Sequence, residues 1–460
     1  MRRHLAVVFR HGDRSPTHNR YEPLARESAM EAATWAWSLP PSSVHADLNA
    51  RFPVQTAHAQ QRDRALGDVF GSLTALGVLQ MRRLGAWASE RAARGSARVR
   101  VRHVLASNFK RTQFSAQCVL SGMTLPPSDV NIRVADESSE VLNAWGTDPD
   151  LKRLVRSNGV ATHDVMRNTP EEEEARRVIV AAVPAFQYLL RPFSWIAALD
   201  HTMSREGKTG GGGPLRGRTA HKRVEELFNT MDTARTGRLT KEHLAVGLKT
   251  VIQSPFSSDV NVDRLVALMD KNRDGGVDLQ ELKDFFQGLR LPSPSSDVGE
   301  SEFWAAAKVV ESAVCRRVDH ILGRPAARRL TAGAFARLIL DNVRAAVAAH
   351  HDDERVAQDS LATVDLYSAH DITLVPLLRE LGLWSADRPW PGVASALVLE
   401  VAGVLDRDPL VAFSHWAGAR GAQSGLEPHG MAIERRNVRV GAADVPTVSL
   451  SRFAEFARGL

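Results

Sequence analysis

Seven consecutive residues near the start of the chain, Arg10-His11-Gly12-Asp13-Arg14-Ser15-Pro16, set two guanidiniums around one imidazole, directly after the short apolar run Leu5 to Phe9. Cations packed this densely are costly unless an anion sits among them. Arginine offers paired donors matched to phosphate oxygens, Gly12 lets the backbone come close, and Pro16 stiffens the exit of the loop. The group suits a phosphoryl dianion. A lone Arg-His-Gly would more often be a surface cluster paired with acids such as Asp13, and it is the full string that shifts the balance.

A second constellation lies in the middle of the chain. Asp270-Lys271-Asn272-Arg273-Asp274-Gly275-Gly276-Val277-Asp278-Leu279-Gln280-Glu281 fits the twelve-residue EF-hand loop at each demanding position. Oxygen ligands would come from Asp270, Asn272, Asp274, Asp278 and Glu281, with the carbonyl of Gly276 as the backbone ligand and Gly275 at the sharp turn. Val262, Leu265, Val266 and Met269 precede the loop on one helical face, and Leu282, Phe285, Phe286 and Leu289 follow on another. An acidic surface turn would not bring both faces with it. An earlier hand, led by Val224, Leu227, Phe228 and Met231 into Asp232, with Gly237 and Leu239, has lost most of its ligands. Ala234 and His243 stand where calcium needs oxygen, so this hand is expected to be a structural mate sharing one core with the other.

The elements that must position these groups follow an α/β rhythm. Leu5 to Phe9 reads as a buried parallel strand, with chemistry at its carboxyl end. A helix is expected from Leu73-Thr74 to about Ala92, with Val78, Met81, Leu84 and Ala88 at helical spacing. Val99 to Ala106 reads as a strand, Arg111 to Met123 as a helix and Asn131 to Ala135 as a further strand. Thr169-Pro170 and the acids Glu171 to Glu174 open another helix as a solvated N-terminal turn, and helical pattern to Asp200 suggests a helical cap. Glu302 to Ala349 is again helical, Ala362 to Ser368 a strand and Ile372 to Leu383 a helix. Ala396 to Val401 and Leu410 to Phe413 read as later strands, and Ser449 to Leu460 as a closing helix. Residues 210–213 and 292–296 are Gly-rich and Pro/Ser-rich linkers.

The first string is similar to the Arg-His-Gly-x-Arg-x-Pro signature of the histidine acid phosphatases, which also include phytases. Tyr367-Ser368-Ala369-His370-Asp371-Ile372-Thr373-Leu374 resembles that family's second signature, a His-Asp pair after a strand. The family's arginine at the start of the helix after the second strand is matched by Arg111, with Lys110 as its rival, because Leu105-Ala106-Ser107 stands where many members carry Arg-Ser-Thr. Within the family the chain is most similar to the lysophosphatidic acid phosphatases, through Leu73-Thr74-Ala75-Leu76-Gly77 with Gln80-Met81, Ser139-Glu140-Val141-Leu142, and the run Asp371 to Leu383.

The resemblance implies an α/β fold: a phosphoglycerate-mutase-like, Rossmann-like sheet flanked by helices, with a helical cap domain and an inserted all-α EF-hand domain. Residues 1–207 and 300–460 would be the two parts of the phosphatase domain and residues 220–291 the insert. It further implies a phosphohistidine formed on His11, an acid and base in Asp371, and a phosphate cradle of Arg10, Arg14, Arg111 and His370, with no cofactor for catalysis and calcium in the insert.

Bulk properties bound the partners. The chain has 460 residues and a formal charge of +6, with 59 basic residues scattered against 53 acidic ones, so nucleic-acid binding is not indicated. No apolar run is long enough to span a bilayer. The only cysteines are Cys118 and Cys315, too few for a disulfide framework. With no secretory h-region, either the protein is cytoplasmic or an N-terminal leader is missing. The substrate expected is a small phosphomonoester, lysophosphatidate among the candidates. Open alternatives are an inositol-phosphate phosphatase, a phosphotransferase of the mutase branch, or a calcium-responsive interaction protein on a dead phosphatase fold.

Overall fold

The computed structural model describes residues 3–18, 31–32, 34–36, 38–56, 69–94, 98–123, 130–134, 140–154, 167–183, 186, 193–206, 225, 228–229, 231–232, 236–244, 266, 269–288, 298–352, 361–402, 408–418, 434–440 and 443–460. The expected linkers at 210–213 and 292–296 lie outside them, as do Val224, Leu227, Ala234, Val262 and Leu265.

Strand β1 (Arg3–Arg10) is apolar from Leu5 to Phe9 because both of its faces are covered. Leu5, Val7 and Phe9 pack to one side with helices α2 (Ala75–Ala93) and α3 (Lys110–Gly122), beyond α1 (Ser42–Arg51). Ala6 and Val8 face the other way, into a core built with α4 (Pro170–Ala182), α5 (Trp195–Arg205) and four later helices. Alternate residues of a strand point to opposite faces, so a continuous apolar run marks a strand inside a three-layer sandwich.

Among the described residues the main sheet has nine strands. Their order is β10 (Glu434–Arg435), β9 (Leu410–Trp416), β8 (Ala396–Ala402), β1, β7 (Leu361–Ala369), β3 (Arg98–Ala106), β4 (Ile132–Val134) and β2 (Val54–Thr56), with Thr447–Ser449 paired to β9. On one side of β1 the pairing is parallel: β7 lies against it with Arg10 opposite Ala369, and β3 lies parallel to β7 with Ala106 opposite Ser368. On the other side β8 runs antiparallel, with Phe9 opposite Ala396, and β9 is antiparallel to β8. The sheet is therefore mixed, and the parallel rhythm stops at β1.

Two helix readings are corrected. The stretch expected as continuous from Glu302 to Ala349 is α7 (Glu300–Leu322), a short turn at Pro325–Arg328, a π-helical turn at Arg329–Gly333 and α8 (Ala334–Asp352). Gly323 and Pro325 account for the break. The acidic start of α4 is not simply a solvated turn. Thr169 and Glu172 form a reciprocal capping box, and the Glu172 side chain is buried between Arg316 and Arg317 of α7, at 2.7 and 2.9 Å. The remaining helices are α9 (Asp371–Glu380), which follows β7, and α10 (Leu450–Gly459).

The two hands share one small core, as expected: Phe228, Met231, Leu239, Leu244, Met269, Val277 and Leu282 are all buried together. Strand β5 (Arg238–Leu239) pairs antiparallel with β6 (Val277–Asp278), Leu239 opposite Val277, and α6 (Leu279–Gly288) leaves the second loop.

Helices α2 and α3 approach each other backbone to backbone. A Cβ on Gly85 would lie 1.9 Å from the Val119 carbonyl oxygen, and one on Gly122 would lie 2.0 Å from that of Arg82. Neither partner is a side chain that can swing away. Gly85→Ala should therefore lower the unfolding free energy by roughly 1–3 kcal/mol in a urea titration, the range for overpacking. Gly299→Ala, where a Cβ would meet nothing within 4 Å, should stay within about 0.5 kcal/mol of the parent. Equal losses at both positions would mean that the α2–α3 contact is not tight.

Candidate active site

The carboxyl ends of β1, β7 and β3 are level, so the next residue of each strand lands on the same edge of the sheet. These residues are His11, His370 and Ser107. The His11 N–H donates to the Ala369 carbonyl at 3.1 Å and the Ser107 N–H to that of Ser368 at 3.1 Å, extending the ladders by one rung. Because β8 is antiparallel, the segment before it reaches this edge too: Ala394 N–H donates to the His11 carbonyl at 2.9 Å and Arg10 N–H to that of Ser395 at 2.8 Å.

The loop after β1 is clamped by the start of α2. The Thr74 hydroxyl donates to the Asp13 carboxylate at 2.6 Å, the Gln80 side-chain oxygen accepts from the Asp13 N–H at 2.8 Å, and the Thr74 N–H donates to the Asp13 carbonyl at 2.9 Å. Gly12 and Gly77 meet at the contact; a Cβ on Gly12 would lie 2.6 Å from the Gly77 carbonyl oxygen. Asp13 is thus spent on holding the loop.

His11 is buried, and its Nδ1 lies 2.9 Å from the Gly12 carbonyl. A carbonyl can only accept, so Nδ1 carries the proton and Nε2 presents a lone pair. The Arg14 Nε–H faces that lone pair at 3.4 Å. Burial lowers the pKa of His11 well below its ordinary 6.5, and the charges of Arg14, Arg111 and Arg10 lower it further. His370 is lowered in the same way, by burial first and then by Arg111, Arg14 and Arg10. Its ring stands edge-on to that of His11 with centroids 5.7 Å apart.

A chain of hydrogen bonds orients His370. Its backbone carbonyl accepts from the Thr373 N–H at 3.1 Å at the start of α9, and its Nε2 lies 2.8 Å from Ser107 Oγ. Ser107 Oγ lies 2.8 Å from Thr112 Oγ1, which in turn donates to the Phe109 carbonyl at 2.7 Å.

Each arginine has its own neighbour. Arg10 pairs with Asp371 at 2.8 Å and donates to the Pro391 carbonyl. Arg14 pairs with Asp200 of α5. Arg111 lies over the Phe109 ring, 4.3 Å from its centroid, and Phe109 is edge-on to His370 at 4.9 Å. Arg111 is the residue of its pair whose charge acts on both imidazoles, which favours it over Lys110. Asp371 also accepts from Trp390 Nε1 at 2.9 Å and from the Ile372 N–H at 2.8 Å, while Trp390 N–H donates to Glu311 at 2.6 Å. The structure therefore brings Arg10, His11, Arg14, Arg111, His370 and Asp371 together.

Sequence reasoning did not single out Asp200, Trp390, Glu311 or Ser107 as parts of this site. Asp200 ends the stretch read as a helical cap, where nothing marks it as part of this site, and Trp390 lies before a strand whose direction no motif reveals. Only Ser107 left a signal, as the serine in the stretch that departs from Arg-Ser-Thr.

The six loop residues Asp270, Asn272, Asp274, Gly276, Asp278 and Glu281 lie on the turn of the second hand, which is held by its own backbone amides. Asp270 accepts from the Asp274 and Gly275 N–H groups at 3.1 and 3.0 Å, and Glu281 from those of Lys271 and Asp278 at 3.0 and 3.1 Å. Gly275 makes the turn at φ +86. Asp274 pairs with Arg238. Among the described residues no three acidic, histidine or cysteine side chains converge as a metal cage. The donor set itself, hard oxygens at the spacing calcium uses, fits that ion. In the first hand Asp232 accepts from the Thr236 and Gly237 N–H groups at 2.9 and 2.7 Å, which closes that turn on itself.

Comparison with known proteins agrees with both readings. Lysophosphatidic acid phosphatase type 6 of Homo sapiens is 29% identical over 114 residues, covering 24% of this chain and 25% of that one. The protein of the same name from Pongo abelii is 33% identical over 90 residues, covering 19% and 21%. These matches span about a quarter of the length of those relatives or less. Among solved structures, the Klebsiella sp ASR1 phytase aligns over 100% of this chain and 94% of its own, at 16% identity and a TM-score of 0.45. Residues 3–156 match the histidine phosphatase superfamily (branch 2), and residues 222–287 match the EF-hand domain pair. The chain is thus similar to branch 2 histidine phosphatases over its N-terminal stretch and to EF-hand domain pairs over a separate later stretch.

Proposed function

We propose that the chain hydrolyses small phosphomonoesters in mildly acidic medium through a phosphohistidine on His11, and that its EF-hand pair binds one calcium ion. The observation that carries the reading is the state of His11. Its Nε2 lone pair is exposed to a cluster of three arginines, while Nδ1–H is tied to the Gly12 carbonyl. Nε2 attacks phosphorus in line with the ester oxygen, the P–O bond breaks, and Arg10, Arg14, Arg111 and His370 hold the equatorial oxygens. Asp371 protonates the leaving alkoxide. The same carboxylate then takes a proton from water, which attacks phosphorus and releases His11 and inorganic phosphate. Lysophosphatidate is the first substrate to try, from the names of the relatives. Among the described residues no helix is long and apolar enough to cross a membrane, and both cysteines are free and buried. That cysteine state supports a reducing compartment, and we place the protein in the cytoplasm.

Calcium would be held by Asp270, Asn272, Asp274, the Gly276 carbonyl, Asp278 and Glu281, fixing the loop and the helices that flank it. Its chemistry there is structural, and no step at His11 runs through it.

Acid-quenched wild type incubated with a radioactive phosphomonoester should retain label in an acid-labile bond, and His11→Ala should retain none while keeping its circular dichroism. Label persisting in the variant would move the nucleophile to another residue.

The lowered pKa of His11 also makes a statement about stability. The unfolded imidazole, near 6.5, takes up its proton before the folded one, so stability falls as pH drops below about 6.5 and stops falling only at the folded pKa. His370 behaves alike. Each group contributes a slope of about 1.4 kcal/mol per pH unit. In urea titrations from pH 6.5 downward, His11→Ala should lose stability more gently than wild type by about that slope. Parallel curves would mean that His11 is protonated in the folded chain.

Calorimetry should count one calcium ion per wild-type chain, with an affinity of roughly 10⁻⁷ to 10⁻⁵ M, and a much weakened heat for Glu281→Gln. Two ions would mean that the Asp232 loop also binds; none would remove calcium from the reading.

A further inference from the structure

Helix α5 sends a carboxylate into the phosphate loop. Asp200 Oδ1 accepts from Arg14 Nη2, while Oδ2 accepts from the Thr17 N–H at 3.1 Å and from the Thr17 hydroxyl at 2.7 Å. Arg14 Nη1 donates to the Ser15 carbonyl at 2.8 Å, and Nε faces His11 Nε2 at 3.4 Å. The planar guanidinium is therefore pinned at both terminal nitrogens, and its Nε–H is aimed at the atom that would carry phosphorus. Both side chains are mostly buried, so the pair is little screened by solvent.

We propose that Asp200 is a positioning residue: it fixes the plane of Arg14 so that the Nε–H, rather than the terminal fork, meets the phosphoryl group on His11. The inference rests on His11 being the phosphate acceptor. It places one determinant of the reaction on a helix far from both signatures in sequence, and it explains why a carboxylate stands beside a site built for an anion. Burial would raise the pKa of Asp200, but Arg14 and the Thr17 hydrogen bonds outweigh it and hold it below the ordinary carboxylate value. Its negative charge is thus present throughout the acidic range.

Two opposed effects follow, and they can be separated. The charge of Asp200 repels any bound phosphate, so neutralising it should leave phosphate affinity unchanged or improve it. Releasing the plane of Arg14 should lower the rate of transfer, because misalignment of a positioning group by about 1 Å can cost on the order of 100-fold. A residue needed only for folding would show neither split.

The test uses the full chain with p-nitrophenyl phosphate as substrate and inorganic phosphate as competitive inhibitor. Asp200→Asn should lose about 10- to 100-fold in kcat, with a phosphate inhibition constant equal to or below that of wild type. Asp200→Glu should regain part of the rate. Thr17→Val, which removes one donor to Asp200 without touching Arg14, should show a smaller loss of the same kind, and it serves if Asp200→Asn does not fold. Wild-type kcat in Asp200→Asn or, should that variant not fold, in Thr17→Val overturns the proposal. So does weakening of phosphate inhibition in step with kcat. A folded wild type that releases no nitrophenol would instead overturn the phosphatase reading, and this inference with it.

Discussion

Three guanidiniums within reach of two buried imidazoles set the problem that the rest of this structure answers. Positive charges so close together repel, and burial adds the cost of stripping their water. The fold meets that cost separately at each arginine: Asp371 and the Pro391 carbonyl for Arg10, Asp200 and the Ser15 carbonyl for Arg14, the Phe109 ring for Arg111. What is left over falls on the imidazoles, whose pKa values are lowered by burial first and then by the charges of these arginines. The same positive field that helps lower the pKa of His11 would attract a phosphoryl dianion.

The counter-charges come from widely separated parts of the chain. Asp371 begins the helix after β7, Asp200 lies on α5, and Trp390, which holds Asp371, lies before β8. Backbone register is what makes these arrivals accurate. Parallel pairing of β1 with β7 sets Arg10 opposite Ala369, and antiparallel pairing with β8 sets Phe9 opposite Ala396. A slip of one residue in either ladder would turn every side chain of that strand to the wrong face. The clamp of Asp13 by Thr74 and Gln80 then fixes the loop between the ladders, and the approach of Gly12 to Gly77 leaves no room for side chains at that contact.

The EF-hand pair has a separate logic. Its core of seven buried apolar residues belongs to the two hands alone, joined by the short ladder of Leu239 and Val277. The first hand has kept the architecture: Asp232 accepts from the amides of its own loop as Asp270 does in the second, while Ala234 and His243 stand where calcium needs oxygen. The branch 2 histidine phosphatase match ends at residue 156 and the EF-hand match covers 222–287, so the two units are distinct in sequence as well as in packing.

The sequence by itself determined the local elements and the chemistry of the motifs. Strands and helices around Leu5 to Phe9, Val78 to Ala88 and Val99 to Ala106 were legible because hydrophobic period and capping residues are local properties, and the EF-hand loop was legible because its oxygen-bearing residues fall within one twelve-residue stretch. Even the burial of Glu172 was hidden, because an acid at a helix start looks the same whether water or an arginine pair meets it. The tertiary structure alone decided which distant groups complete the phosphate cluster. Strand direction is not encoded in the residues of β8, yet it is the antiparallel turn of β8 that brings Trp390 and Pro391 to the edge where His11 lies. Asp200 likewise has no local mark. Its role depends on α5 packing across the sheet so that a carboxylate meets Arg14, and long-range packing of that kind is a property of the assembled core rather than of any short stretch of chain.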